Sequence, residues 1–308
     1  MDMPRERRPI ILGTDWHSDC DDALAVRILA WAHKQGIIKI LGISVDSAFE
    51  LSMASIKGFL EYEGLTDVPL GLDHNAYDYG GHAKYQCRLA ELASHSYKNS
   101  EFESAARMYR RLLAEANEKA DIIEIGFSQV LAEVLTSKAD DISPLSGAEL
   151  FEQKVGKLWI MGGSWDDFTV REFNFSKTPK ASRAISTVLE KSPVPVTMLG
   201  LEVGKGVLSG EILKDKAPCD VLYKALCDFG AERGRHSWDP MLVYLACVGD
   251  EELAGYELVR GRASVDAESG YNSFAKDENG KHGYVVKRYT DAEYVECLDE
   301  IILAGARK

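Results

Sequence analysis

Pro9-Ile10-Ile11-Leu12-Gly13-Thr14, running straight into Asp15-Trp16-His17-Ser18-Asp19-Cys20-Asp21-Asp22-Ala23, is the stretch that decides the fold. The first six residues form a short, nearly continuous apolar run of strand length. From Ala23 to Lys34 the apolar residues recur at helical spacing. Strand, polar turn and helix in that order open a βα unit. Four aspartates, Asp15, Asp19, Asp21 and Asp22, crowd the junction.

The pattern continues outward. Ile37 to Val45 predicts a second strand and Ser52 to Tyr62 a helix. Val68 to Leu72 predicts a third strand. Phe102 to Ala116 reads as a helix and Asp121 to Ile125 as a strand. Further strands are expected at Leu158 to Met161 and Val194 to Leu199, with a helix at Ala181 to Lys191 between them. Tyr256 to Tyr284 is strand-rich, with Gly261, Gly270 and Gly280 as turn points, and Asp291 to Leu303 predicts a closing helix. The polar stretch Asp73 to Ser100 is expected to be a long loop. Strands alternating with helices imply a mostly parallel sheet flanked by helices. Buried parallel strands are apolar almost throughout. No linker or repeat divides the 308 residues, so one α/β domain spanning 1–308 is expected.

Composition narrows the function. A formal charge of −13 disfavours nucleic acid as a partner, because no basic patch answers a phosphate backbone. The short basic run Arg5-Glu6-Arg7-Arg8 reads as a solvated lead-in. The six cysteines form no C-x-x-C pair, which argues against zinc and against a disulfide framework. No apolar window approaches the ~18 residues of a membrane span, and the first residues lack a secretory apolar stretch. A cytoplasmic protein is expected.

The aspartates carry the chemistry. In open α/β sheets ligands bind beyond the carboxyl ends of strands, where Asp15 falls. Aspartates also cap helix N-termini, which accounts for one or two of them. Four together repel unless protons or a cation relieve them. Carboxylate oxygens suit Ca²⁺ or Mg²⁺. The spacing is neither an EF-hand nor a Walker A loop.

The stretch Thr14 to Ala23 resembles the N-terminal signature of the inosine-uridine nucleoside hydrolase family, in a branch reading D-x-x-x-D-C-D-D-A from Asp15. Further blocks follow in the family's order. Ile125-Gly126-Phe127-Ser128-Gln129-Val130-Leu131-Ala132 resembles G-P-L-T-N-x-A. Met161-Gly162-Gly163 and Glu172-Phe173-Asn174 resemble M-G-G and E-F-N. Gly200-Leu201-Glu202-Val203 resembles G-L-D-V, and Ser237-Trp238-Asp239-Pro240 resembles H-D-P. The resemblance implies a nucleoside hydrolase-like fold and Ca²⁺-dependent cleavage of ribonucleosides to base and ribose. It implies Ca²⁺ held by Asp15, Asp22, Asp239 and the main-chain carbonyl of Gln129. Asp15 would be general base toward a water held at the ion. Asp21, Glu172 and Asn174 would hold the ribose hydroxyls. Inversion through an oxocarbenium-like transition state, a role in base salvage, and a homodimer or homotetramer follow from the same resemblance.

The chain departs from the family pattern at several points. Gly13 replaces the first Asp of D-x-D. Trp16, His17 and Ser18 replace a Pro-Gly turn, and Asp19 and Cys20 are extra. Asp166 stands where a ribose-binding Asn is usual, and Val45 to Phe49 holds no clear G-N block. Trp238 stands where a His often protonates the leaving base. Either Trp238, Trp165 or Trp16 stacks on the base, or His17, His82 or His236 supplies the proton. The alternative is a ribose- or nucleoside-binding protein on the same scaffold with weak or lost catalysis.

Overall fold

The computed structural model describes residues 7–17, 19–76 and 81–307. Ser18 of the turn, Arg5 and Glu6 of the lead-in, and residues 77–80 of the expected loop lie outside them. The strands are β1 (Arg8–Thr14), β2 (Ile38–Val45), β3 (Leu70–Leu72), β4 (Glu103–Ser104), β5 (Ala120–Glu124) and β6 (Val155–Met161). They continue as β7 (Val196–Leu199), β8 (Leu208–Ser209), β9 (Arg235–His236), β10 (Tyr256–Val265), β11 (Asn272–Lys276) and β12 (His282–Lys287). Ten of them form one sheet in the order β11-β10-β12-β7-β6-β5-β1-β2-β3-β4, and β8 and β9 pair separately. All pairs from β12 to β4 are parallel. In that sheet β10 runs antiparallel to both its neighbours, β11 and β12, and β8 and β9 are antiparallel to each other.

Strand alternation divides the core. Ile10 and Leu12 of β1 face one apolar layer, while Ile11 faces the other. On the first face lies the helix Asp21–Lys34, buried on nearly every side and packed against the helix Trp238–Val248. The helices Ala105–Glu115, Gln129–Thr136 and Pro179–Lys191 cover the other. The Arg27 side chain is fully buried and binds Glu63 and Asp220, joining three helices.

The connectivity places the site. From β1 the chain builds β2, β3 and β4 on one side, then crosses back to β5 on the other. The carboxyl ends of β1 and β5 therefore flank a switch point, where ligand crevices open.

Two expectations need correction. The stretch from Asp73 to Ser100 holds the helix Lys84–Ala90, whose Tyr85, Gln86 and Leu89 are buried. Its polar residues concealed that short apolar face. Gly261 is no turn point: it lies within β10, paired with Lys276 of β11 and His282 of β12. Gly270, with φ of 77°, does sit between strands. Among the described residues no helix is long and apolar enough to cross a membrane.

Candidate active site

At the switch point lies a cavity of about 230 Å³, lined by Asp15, Asp19, Asp21, Asp22, Glu172, Asn174, Asp239 and Trp238, with Ile125, Met161, Phe173 and Leu201. Asp15 leaves the end of β1. Asp21 and Asp22 open the helix Asp21–Lys34, and Asp239 opens the helix Trp238–Val248. Carboxylate oxygens of Asp21, Asp22 and Asp239 all lie within 4.8 Å of one another.

Backbone and hydroxyl donors hold these groups. Thr14 Oγ1 donates to Asp22, and the Trp16 N–H donates to the same oxygen at 3.2 Å. The Asp239 N–H approaches Asp21 at 3.4 Å. Ser47 Oγ donates to the Asp15 carbonyl. Trp16 has φ of 45°, strained for a bulky residue, and its indole N–H is tied to Ser55 at 2.8 Å. The strain sits directly beside Asp15. Gly126 permits the close approach of β5's end, since a Cβ there would meet the Asp15 nitrogen.

The cluster holds more negative charge than its neighbours offset. Burial first, then Asp21, Asp19 and Glu124, pushes Asp15 up to about 8. Asp21, Asp22 and Asp239 are pushed well above the usual carboxylate range by burial and, second, by neighbouring carboxylates. Protons or a cation must relieve such a group. An all-oxygen donor set of this density fits a hard divalent ion.

The opposite wall is preorganised. Glu172 caps the short helix Phe173–Ser176, accepting N–H bonds from Asn174 at 2.8 Å and from Gly163 and Phe175 at 3.1 Å. Burial still pushes its carboxyl up to about 7. Asn174 Nδ2 donates to the carbonyls of Ile125 and Met161, each at 3.3 Å. Its Oδ1 remains as the amide's acceptor.

Other expected residues are placed elsewhere. Gln129 is buried but does not line the cavity, and its amide donates to Asp73 at 3.1 Å and the Asp46 carbonyl at 3.3 Å. Asp166 is exposed and outside the cavity wall. Trp16 packs in the core against Phe59 and Tyr85, and Trp165 stacks on Tyr284. Trp238 is the tryptophan of the wall. Among the described residues no histidine lines the cavity: His82 is exposed, His17 stacks on Phe49 at 3.5 Å, and the His236 ring lies 5.2 Å from that of Trp238. Burial, then Lys177, pushes His17 down to about 4, so it is neutral at pH 7.

Sequence reasoning missed three features. Arg235 pairs with Asp19, Nε to Oδ1 at 2.6 Å, answering the charge of the extra aspartate. Its signal, an Arg three residues before Trp238, is visible only once Asp19 is known to need a partner. Phe173, inside the E-F-N block, lines the mouth at 39% exposure. Asp46 and Glu124 lie buried behind Asp15.

A model described as inosine-uridine preferring nucleoside hydrolase matches residues 10–296. No curated protein matches the chain by sequence. Among solved structures, the chain is similar to the inosine-uridine preferring nucleoside hydrolase from Bacillus anthracis, with 14% identity and a TM-score of 0.67 over 96% of this chain and 99% of that one. It is also similar to the purine-preferring ribonucleoside hydrolase from Gardnerella vaginalis, with 17% identity and a TM-score of 0.71 over 97% and 99%. The type III effector protein XopQ, complexed with adenosine diphosphate ribose, shares 14% identity and a TM-score of 0.73 over 99% and 96%. At these identities the structural likeness is one of fold.

Proposed function

Because the chain belongs to the inosine-uridine preferring nucleoside hydrolase family, we propose that it hydrolyses the N-glycosidic bond of ribonucleosides, releasing free base and ribose. The observation that carries this reading is the convergence of Asp21, Asp22 and Asp239 within 4.8 Å, facing Glu172 and Asn174 across one cavity. A cavity of about 230 Å³ is below the roughly 300–1,000 Å³ of drug-sized pockets. It suits a sugar inside and a base at the mouth.

Asp15, Asp22 and Asp239 would hold Ca²⁺, while Gln129, whose carbonyl the resemblance adds, lies outside the cavity wall. Bound there, the ion would supply Lewis acidity to the vicinal hydroxyls and to water. Asp15 accepts the proton of the attacking water. Asp21 accepts ribose hydroxyls, which orients the ring and favours ribose over deoxyribose. Glu172 and Asn174 place oxygens where positive charge grows on the ring as the bond breaks. Attack opposite the base inverts the anomeric carbon. Trp238 and Phe173 offer ring faces to the base. The test compares sugar release from inosine and 2′-deoxyinosine: strong preference for inosine supports the hydroxyl role, and equal rates contradict it. A homodimer or homotetramer accompanies this reading, tested by light scattering.

A second reading has its own observation. Among the described residues no histidine lines the cavity, and Trp238 stands in its wall where the resemblance would put a proton-donating His. A ribosyl-binding protein with weak catalysis fits that wall. Nucleoside binding without turnover would favour it.

A further inference from the structure

Position 13 carries no side chain, yet the space beside it is filled. Gly13 of β1 is the register partner of Glu124 on β5. A Cβ on Gly13 would have three atoms of the Glu124 carboxyl as its nearest neighbours. The space a side chain at position 13 would take is thus filled by a carboxyl from the adjacent strand.

Glu124 is fully buried, and its Oε1 accepts the Gly126 N–H at 3.0 Å. The Ile125 N–H donates to the Gly13 carbonyl at 2.9 Å, locking the two strand ends together. A Cβ on Gly126 would meet both the Asp15 nitrogen and the Asp46 carboxyl, so only glycine fits between them. Asp46 is itself tied to β1 by its N–H to the Thr14 carbonyl at 3.0 Å. The Asp46 and Glu124 carboxyls are buried against each other, both pushed above the usual carboxylate range chiefly by burial, and bond side chain to side chain with no cationic side chain among the described residues to answer them. A small apolar residue at 124 would fill the gap beside Gly13 without any cost of burying a carboxyl. Local rules broken this way gather at functional sites.

We propose that Glu124 is a positioning residue of the cation site. Its carboxyl, supplied from β5 in place of a side chain at position 13, fixes the Gly126 turn and the Asp15 backbone against which the ligands are set. It acts through Asp15 and the turn toward Gln129, not on substrate. The proposal rests on the cation-dependent reading above.

The test uses the full chain, with Ca²⁺ titrated by calorimetry and inosine hydrolysis resolved into kcat and KM. Glu124→Ala is expected to weaken Ca²⁺ binding by about 10- to 100-fold, the usual effect of removing a group that supports a ligand. The double variant Gly13→Asp/Glu124→Ala is expected to recover most of that affinity and of kcat. Gly13→Asp alone is expected to bind worse than the double variant, because two carboxyls then compete for one space. Glu124→Gln keeps the volume and is expected to weaken binding in the same direction, so a folding defect in Glu124→Ala does not decide the outcome. Wild-type Ca²⁺ affinity in both Glu124 variants overturns the proposal, as does a double variant no better than Glu124→Ala. If the wild-type chain itself binds no Ca²⁺, the underlying reading falls together with this one. If only the Glu124 variants behave as wild type, this proposal falls alone.

Discussion

The Trp238 indole N–H donates to the Leu201 carbonyl at 2.7 Å, so the side chain's one donor is already engaged within the cavity wall. The ring can stack on a base but cannot protonate one. Trp238→Ala is expected to raise KM for ribonucleosides by roughly tenfold, since stacking on a base is worth about 1–3 kcal/mol. Trp238→His is expected to raise kcat and to add a fall in rate above about pH 6.5, where imidazole loses its proton. Steady-state kinetics against pH read both effects.

Asp239→Asn separates binding from folding. Removing one of the clustered carboxylates is expected to abolish measurable Ca²⁺ binding, a loss greater than about 100-fold. The same change relieves like-charge repulsion, so the chelated variant is expected to melt above the chelated wild type. Calorimetric titration and thermal unfolding, each with and without Ca²⁺, provide the comparison.

The same carboxylates set a pH dependence. Asp15 is raised from 3.8 to about 8 by burial and then by its acidic neighbours, and Glu124 from 4.5 to about 8 by burial. The folded state therefore holds protons that the unfolded state releases near pH 4. In chelated protein this contribution is complete below that pH and is lost as pH rises toward 8. The midpoint of urea unfolding in EDTA is expected to fall steadily across that window. Ca²⁺ is expected to restore stability most at the alkaline end.

Arg27 is expected to be the most sensitive ionic position away from the site. Its guanidinium is fully buried between Glu63 and Asp220, both of them buried as well. Arg27→Met keeps much of the volume but takes the buried cation from two buried carboxylates, leaving Glu63 with the partly exposed Lys34 and Asp220 with neutral donors, and breaking such a network costs up to about 3–5 kcal/mol. Chemical denaturation reads the loss directly.

The sheet was legible because its strands are short apolar runs closed by glycine or aspartate, as Ile10 to Thr14 and Leu158 to Met161 show. Parallel strands buried on both faces leave that signature. The carboxylate cluster was equally legible, because Asp15, Asp21 and Asp22 share one short stretch and Asp239 lies in an S-W-D-P block. What escaped depends on contacts between distant segments. Glu124 reads as the polar end of a strand until its register with Gly13 is known. Arg235 reads as a surface charge until Asp19 is found against it. Asp166 looked like a ribose contact by position in the chain, yet the turn after Gly163 leaves it exposed. Short helices such as Lys84–Ala90 are hidden because one buried face of three residues makes no clear period.

The most direct test of the central claim is release of reducing sugar from inosine, uridine, cytidine and guanosine by the purified chain, in Ca²⁺ and again in excess EDTA. The account predicts ribose from at least one ribonucleoside in Ca²⁺, abolished by EDTA and restored when Ca²⁺ is returned. No ribose from any of the four, with calorimetry showing Ca²⁺ bound, would contradict it.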